Sequence, residues 1–93
     1  MKKKSISIII PIYNESKNLR NFYDRLRSVK EKLLKYNWEF IFVNDGSSDN
    51  SLLVLYELAK LDKNNKVLDL SRNFGKEIAL SAGVHEIGNV DAV

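Results

Sequence analysis

Apolar residues fall along this chain in runs that alternate between two periods. Ile6, Ile8, Ile9 and Ile10 are β-branched and nearly continuous, which predicts a strand over Ser5 to Ile10. Phe40-Ile41-Phe42-Val43 anchors a second strand over Trp38 to Val43, and Val67, Leu68 and Leu70 a third over Lys66 to Leu70. Unbroken runs of this kind suit parallel strands covered on both faces. Between them the apolar spacing turns helical. Leu19, Phe22, Tyr23, Leu26, Val29 and Leu33 predict an amphipathic helix over Lys17 to Tyr36. Leu52, Leu55, Tyr56 and Ala59 predict another over Asn50 to Leu61, and Ile78, Ala79 and Ala82 a last one from Lys76 to Ile87.

The breaks agree with these spans. Pro11 cannot donate to a ladder and closes the first strand. Asn37 stops the first helix, and Ser48 or Asp49 caps the second. Asp62-Lys63-Asn64-Asn65 is a polar turn, and Gly88-Asn89 ends the last helix. Asp91-Ala92-Val93 then begins a fourth strand. The order β-α-β-α-β-α-β predicts an α/β fold, a mostly parallel sheet with right-handed crossovers, in one domain without repeats or linkers. A chain that stops as a strand begins reads as a fragment. Its last strand is expected to lack a partner, so self-association through that open edge is expected too.

Composition narrows the chemistry. Apolar residues make up 44% and charged residues 29% of 93 residues, the balance of a soluble globular domain with a modest core. There is no Cys, which excludes disulfides and Cys-ligated zinc, and the single His85 excludes a multi-His metal site within this chain. Net charge is +3, matched by Lys2, Lys3 and Lys4 in an N-terminus expected to fray. Three lysines solubilise an end; a claim on anionic lipid needs a larger cluster. The apolar run Ile6 to Ile12 is too short to span a bilayer. Scattered basic residues, not interleaved with aromatic ones, argue against nucleic-acid binding.

In a parallel sheet every strand-to-helix turn lies at the same edge, where ligands bind. Here three such turns can converge. The first offers Pro11, Tyr13, Asn14 and Glu15; the second Asn44, Asp45, Gly46 and Ser47; the third Arg72, Asn73, Gly75 and Lys76. Asp45 can accept from the N–H groups of a base, and Gly46 lets a base or a backbone come close. The plainer alternative is a turn and a helix cap. Tyr13 can pack on a base or ribose and Glu15 can accept from ribose hydroxyls, or Glu15 serves only the helix dipole. Arg72 and Lys76 flank a helix start suited to phosphate, or are solvated surface charges. Trp38 is most simply core, and His85 a late-helix surface or core residue. No Gly-x-Gly-x-x-Gly or Walker-type run occurs, and no Ser-His-Asp arrangement is readable.

Ile8-Ile9-Ile10-Pro11-Ile12-Tyr13-Asn14-Glu15, followed by Phe42-Val43-Asn44-Asp45-Gly46-Ser47-Ser48-Asp49, resembles the inverting family 2 glycosyltransferases. Ser71-Arg72-Asn73-Phe74-Gly75-Lys76-Glu77 is similar to the branch that glycosylates polyprenyl phosphates, such as dolichyl-phosphate mannose synthases and bactoprenol glucosyltransferases. The resemblance covers essentially the whole chain. It implies a Rossmann-like GT-A domain binding a UDP- or GDP-sugar. Pro11, Tyr13, Glu15, Asp45, Gly46 and Ser47 would form the nucleoside pocket, with Asp45 on the base. Arg72 and Lys76 would lie near donor or acceptor phosphates. An acceptor phosphate oxygen, already anionic, would displace the diphosphate at the anomeric carbon with inversion.

The family's Asp-x-Asp motif, which holds Mg²⁺ or Mn²⁺, would follow the fourth strand, beyond Val93. Catalytic and metal-binding residues are therefore expected outside this chain, as are the acceptor half and any membrane helices. Residues 1–93 would then be the nucleotide-sugar-binding half of a longer enzyme, inactive alone. That enzyme would work at the cytoplasmic face of a membrane, in cell-wall or lipopolysaccharide synthesis. A non-catalytic nucleotide-binding or interaction module of the same fold is the alternative.

Overall fold

The computed structural model describes residues 3–87 and 90–93. Its elements run β1 (Lys4–Ile12), α1 (Leu19–Lys32), β2 (Tyr36–Asp45), α2 (Ser51–Leu61), β3 (Asn65–Leu70) and α3 (Lys76–Glu86). The strands form a parallel sheet in the order β1-β2-β3, as the alternation requires. Lys2 and the Gly88-Asn89 helix stop lie outside the described residues. Among the described residues, no helix is long and apolar enough to cross a membrane.

Alternation of side chains along each strand builds two cores. Ile10 and Ile12 of β1 and Phe40 and Phe42 of β2 meet Leu19 and Tyr23 of α1 and Val54, Leu55 and Leu58 of α2. Ile41 and Val43 face the other way, onto Ala79 of α3, with Ile9, Leu68 and Leu70 around them. Phe42 is fully buried, and Tyr23 lies 6.3 Å from both Phe40 and Phe42, edge-on to the former. Truncating a buried aromatic of this kind costs about 3–5 kcal/mol. Trp38 is partly buried against this core, its Nε1–H donating to the Leu33 carbonyl at 3.0 Å. Among the described residues His85 is exposed in the last turn of α3.

The boundaries depart from expectation where tertiary pairing outweighs local signals. Pro11 does not close β1; it pairs in register with Val43, and β1 runs on to Ile12. Ser7, four residues earlier, directs its N–H away from β2, to the Ala92 carbonyl at 3.0 Å. Period-two geometry turns the Pro11 nitrogen to that same outer side, so no β1–β2 bond is lost. The first helix starts at Leu19, not Lys17, and stops at Lys32 rather than Tyr36, because Tyr36 and Asn37 are drawn into the ladder beside Lys4 and Ser5. For the same reason β2 is longer than Trp38 to Val43 at both ends.

The helical stripes are narrower than predicted. Leu19 and Tyr23 are buried while Phe22, Val29 and Leu33 remain exposed. In α2 the buried face is Ser51, Val54, Leu55 and Leu58, and Tyr56 is exposed; in α3 it is Ala79 and Gly83, with Ile78 exposed. Asn65 belongs to β3 rather than to the polar turn, and it is buried. Its Nδ2 donates to Tyr23 Oη at 2.6 Å and to the Leu58 carbonyl at 2.9 Å, tying α1, α2 and β3 together. Lys30 pairs with Asp62 at 2.7 Å, and that contact, with the Asn64 N–H, lowers the Asp62 pKa.

The end of the chain is not unpartnered. Ala92 bridges Ile6 in parallel, the Asp91 N–H donates to the Ser5 carbonyl at 2.9 Å, and Asp91 Oδ2 accepts from the Ser5 N–H at 2.7 Å. The expectation of an unpaired last strand is therefore corrected: it lies against β1, on the side opposite β2. The polar backbone of β1 draws it there, since an unpaired strand edge is costly to leave dry.

The first two turns are laced together by side chains. Consecutive N–H groups of Asn14, Glu15 and Ser16 donate to Ser47 Oγ (3.0 Å), Ser51 Oγ (3.0 Å) and Asp49 Oδ2 (3.2 Å). In return Asn14 Oδ1 accepts from the N–H groups of Ser48 (2.8 Å) and Asp49 (3.3 Å). Asp49 Oδ1 also accepts from the Ser51 N–H at 2.9 Å, so it serves the first turn of α2 from one residue outside the cap position Asn50. Hydrogen bonding by Ser51, its side chain first, and then by Ser16 holds the Asp49 carboxyl at about 2, below its usual 3.8.

Two outcomes are expected. Gly83 packs α3 so closely on the sheet that a β-carbon there would overlap Ile9 and crowd Val43. Gly83→Val should lower unfolding free energy in urea by about 2 kcal/mol, and Gly83→Ala by less, because alanine favours helix by about 1 kcal/mol. Asp49 ionises more easily folded than unfolded, so its contribution is complete above pH 3.8 and lost as pH falls toward about 2. Thermal midpoints should drop across that interval, and Asp49→Asn should flatten that part of the profile.

Candidate functional site

β1, β2 and β3 all end at one edge of the sheet, and their three turns enclose a cleft of about 510 Å³. Pro11, Tyr13 and Glu15 of the first turn, Asp45 of the second and Lys76 of the third line it, together with Ile12, Asn73 and Gly75. The volume lies within the range of small-molecule sites. Five residues expected from the sequence are thus brought to one cavity. Asn73 and Gly75, which the third turn also offered, and Ile12 complete the wall; the signal for Ile12 was its place just past the first strand's apolar run.

The cleft wall mixes apolar and charged residues. Ile12 is buried, while Tyr13 is half exposed and free to pack against a flat ligand. Glu15 stands exposed in the turn before α1, where its Oε2 accepts from Asn18 Nδ2 at 3.3 Å and its carbonyl from the Asn18 and Leu19 N–H groups. Lys76 opens α3. A helix start adds a partial positive charge to the lysine, so the wall at Lys76 favours an anion.

Asp45 is only 3% exposed, at the last position of β2. Its Oδ1 accepts from the Phe74 N–H at 2.8 Å, and its Oδ2 from the Gly75 N–H at 3.1 Å and from Asn73 Nδ2 at 3.4 Å. Asn73 Nδ2 also donates to the Asp45 carbonyl at 3.1 Å. The carboxylate therefore shapes the third turn as well as facing the cleft. Neighbouring Asn44 is buried too, with Nδ2 donating to Asp69 Oδ1 at 3.0 Å.

Gly46, Ser47 and Arg72 do not line the cleft. Gly46 has φ +67°, and a β-carbon on it would overlap the backbone of Arg72 and Asn73. The glycine thus admits the close approach of a backbone. Ser47 Oγ is engaged by the Asn14 N–H. Arg72 lies outside, its guanidinium 4.8 Å from the centre of the Phe74 ring, a cation–π contact. Among the described residues, no group of three or more His, Asp and Glu side chains is placed to hold a metal ion.

Comparison with known proteins accords with this geometry. Residues 7–88 match Glycosyl transferase family 2. An uncharacterized glycosyltransferase of Bacillus subtilis, YkcC, is 45% identical over 78 residues, which is 84% of this chain and 24% of that protein. A prophage bactoprenol glucosyl transferase homolog of Escherichia coli is 40% identical over 85 residues, covering 90% of this chain and 28% of its own length. The chain thus spans about a quarter of these relatives. Among solved structures, the mannosyltransferase PcManGT of Pyrobaculum calidifontis, in complex with GDP-Man and Mn²⁺, superposes with a TM-score of 0.77 over 95% of this chain and 26% of its own. At 18% identity that likeness speaks for the GT-A fold alone. With a match from residue 7 to residue 88, this chain belongs to the family 2 glycosyl transferases.

Proposed function

We propose that the cleft binds the nucleoside diphosphate end of a sugar donor, a UDP- or GDP-sugar. The observation that carries this reading is the meeting of Pro11, Tyr13, Glu15, Asp45 and Lys76, from three separate turns, around one cavity. Tyr13 would pack on the base or ribose, Glu15 would accept from ribose hydroxyls, and Asp45 would accept from base N–H groups. A carboxylate already taking three donors has lone-pair capacity for one more. Gly46 and Ser47 would act on the pocket from behind, Gly46 by admitting the third turn and Ser47 by holding the first.

At the other end, Lys76 and the start of α3 would meet the diphosphate. Arg72, stacked on Phe74 outside the wall, is the second cation and would meet a phosphate of donor or acceptor. A Mg²⁺ or Mn²⁺ ion would neutralise the departing diphosphate, with acidic ligands supplied by the longer enzyme. We propose further that this chain is the nucleotide-sugar-binding part of a longer enzyme. That enzyme would transfer the sugar, with inversion, to a polyprenyl phosphate at the cytoplasmic face of a membrane. Support comes from the names of relatives, a bactoprenol glucosyl transferase homolog and an undecaprenyl-phosphate transferase among them. Association of copies through an open sheet edge, here that of the outer strand β3 rather than an unpaired last strand, belongs to the same proposal.

Calorimetric titration with GDP and UDP tests the cleft. Wild type should bind one of them, and Lys76→Ala should weaken it about tenfold with an unchanged thermal midpoint, since an exposed charge at a helix start carries little of the fold. Asp45→Ala should lose both binding and stability, the latter by about 2–3 kcal/mol, because Phe74 and Gly75 lose their acceptor. Equal heats for wild type and Lys76→Ala, or none for wild type at millimolar nucleotide, would reject the reading.

A further inference from the structure

Between Tyr13 and Glu15, both in the cleft wall, stands a residue that does not line the cleft. Asn14 has φ +52°, the one positive φ at a non-glycine position among the described residues. Asparagine tolerates this left-handed conformation better than most residues, and glycine tolerates it best. Conformation alone therefore does not require asparagine.

The side chain supplies the further reason. Asn14 Oδ1 accepts from the Ser48 N–H at 2.8 Å, the Asp49 N–H at 3.3 Å and Ser48 Oγ at 3.3 Å. No hydrogen bond of its Nδ2 occurs among the described residues. The carboxamide works as an acceptor, gathering the donors of the second turn just before α2. Its own N–H is held by Ser47, and those of Glu15 and Ser16 by Ser51 and Asp49. Each turn is thus fixed by the other, and Asn14 is the residue of the first turn whose side chain reaches across.

We propose that Asn14 is a positioning residue: by binding the second turn through Oδ1, it fixes the strand-to-helix turn that presents Tyr13 and Glu15 to the nucleoside. The inference rests on the reading of the cleft given above. It makes a distinction between substitutions that a purely conformational role would not. Asn14→Gly keeps the left-handed backbone and removes the acceptor. Asn14→Asp keeps an acceptor oxygen in nearly the same place and gives up only an amide group that has no partner.

The test uses this chain as wild type, Asn14→Gly and Asn14→Asp, each titrated with GDP and with UDP and followed by amide hydrogen exchange. Asn14→Gly should fold, bind nucleotide about tenfold more weakly, and exchange the Ser48 and Asp49 amides about tenfold faster. Asn14→Asp should return both quantities to within about threefold of wild type, because an ionised acceptor serves the same donors. Wild-type affinity in Asn14→Gly, or an Asn14→Asp as impaired as Asn14→Gly, overturns the proposal. Unchanged exchange in Asn14→Gly overturns the clasp itself, whatever binds. A wild type that binds neither nucleotide overturns the reading of the cleft, and with it the role of Asn14 there.

Discussion

A carboxylate with almost no exposure, placed where β2 runs out, fixes the third turn at the edge of the sheet where the strands end. Asp45 takes the N–H groups of Phe74 and Gly75, and Gly46 beside it leaves room for the backbone of Arg72 and Asn73. Those contacts draw the third turn over the second. The first turn is drawn in by a different set, Asn14, Ser47, Asp49 and Ser51. Burying a carboxylate is costly unless donors surround it, and here the donors are the backbone of the loop that it organises. Without that exchange, the third turn would lose the contacts that hold it over the second.

The sheet beneath supplies the rigidity this arrangement needs. Phe40 and Phe42 pack toward α1 and α2, while Ile41 and Val43 pack toward α3. A strand covered on both faces moves little, so the turn at its end starts from a fixed point. Close packing continues at Gly83, where α3 lies against Ile9 and Val43. Lys76 at the start of that helix is thus set, through the helix, by the same two strands that end in Ile12 and Asp45.

Much of this could be read from the chain before any coordinates. The order of elements and the parallel sheet followed from alternating periods, because burial on one face or both writes itself into local sequence. That Tyr13, Glu15, Asp45 and Lys76 would meet in one cleft was legible, because a parallel sheet puts all its strand ends on one side. What local pattern did not carry was pairing. Nothing near Tyr36 announces that Lys4 will pull it from a helix into a ladder, and nothing near Pro11 says which side its nitrogen faces. Arg72 looked like a cleft cation until Phe74 was seen beneath it. Ser47 and Asp49 looked like a pocket residue and a cap, and both prove to be partners of the first turn. Asn65, in a run of polar residues, gave no hint of burial, since the acceptors of its Nδ2 come from α1 and α2.

The small bridge between Ile6 and Ala92 has a topological meaning. Going along the chain, the strands step outward from β1 to β2 to β3; the next segment then returns and lies on β1's far side. Winding therefore reverses its sense at β1. Where winding reverses in an open sheet, the connections on either side depart in opposite directions and leave a crevice between them, a switch point. β1 is the strand that ends in Pro11 and Ile12 and runs into the turn of Tyr13 and Glu15. The crevice at its tip thus follows from the path of the chain, and the side chains there have only to furnish it.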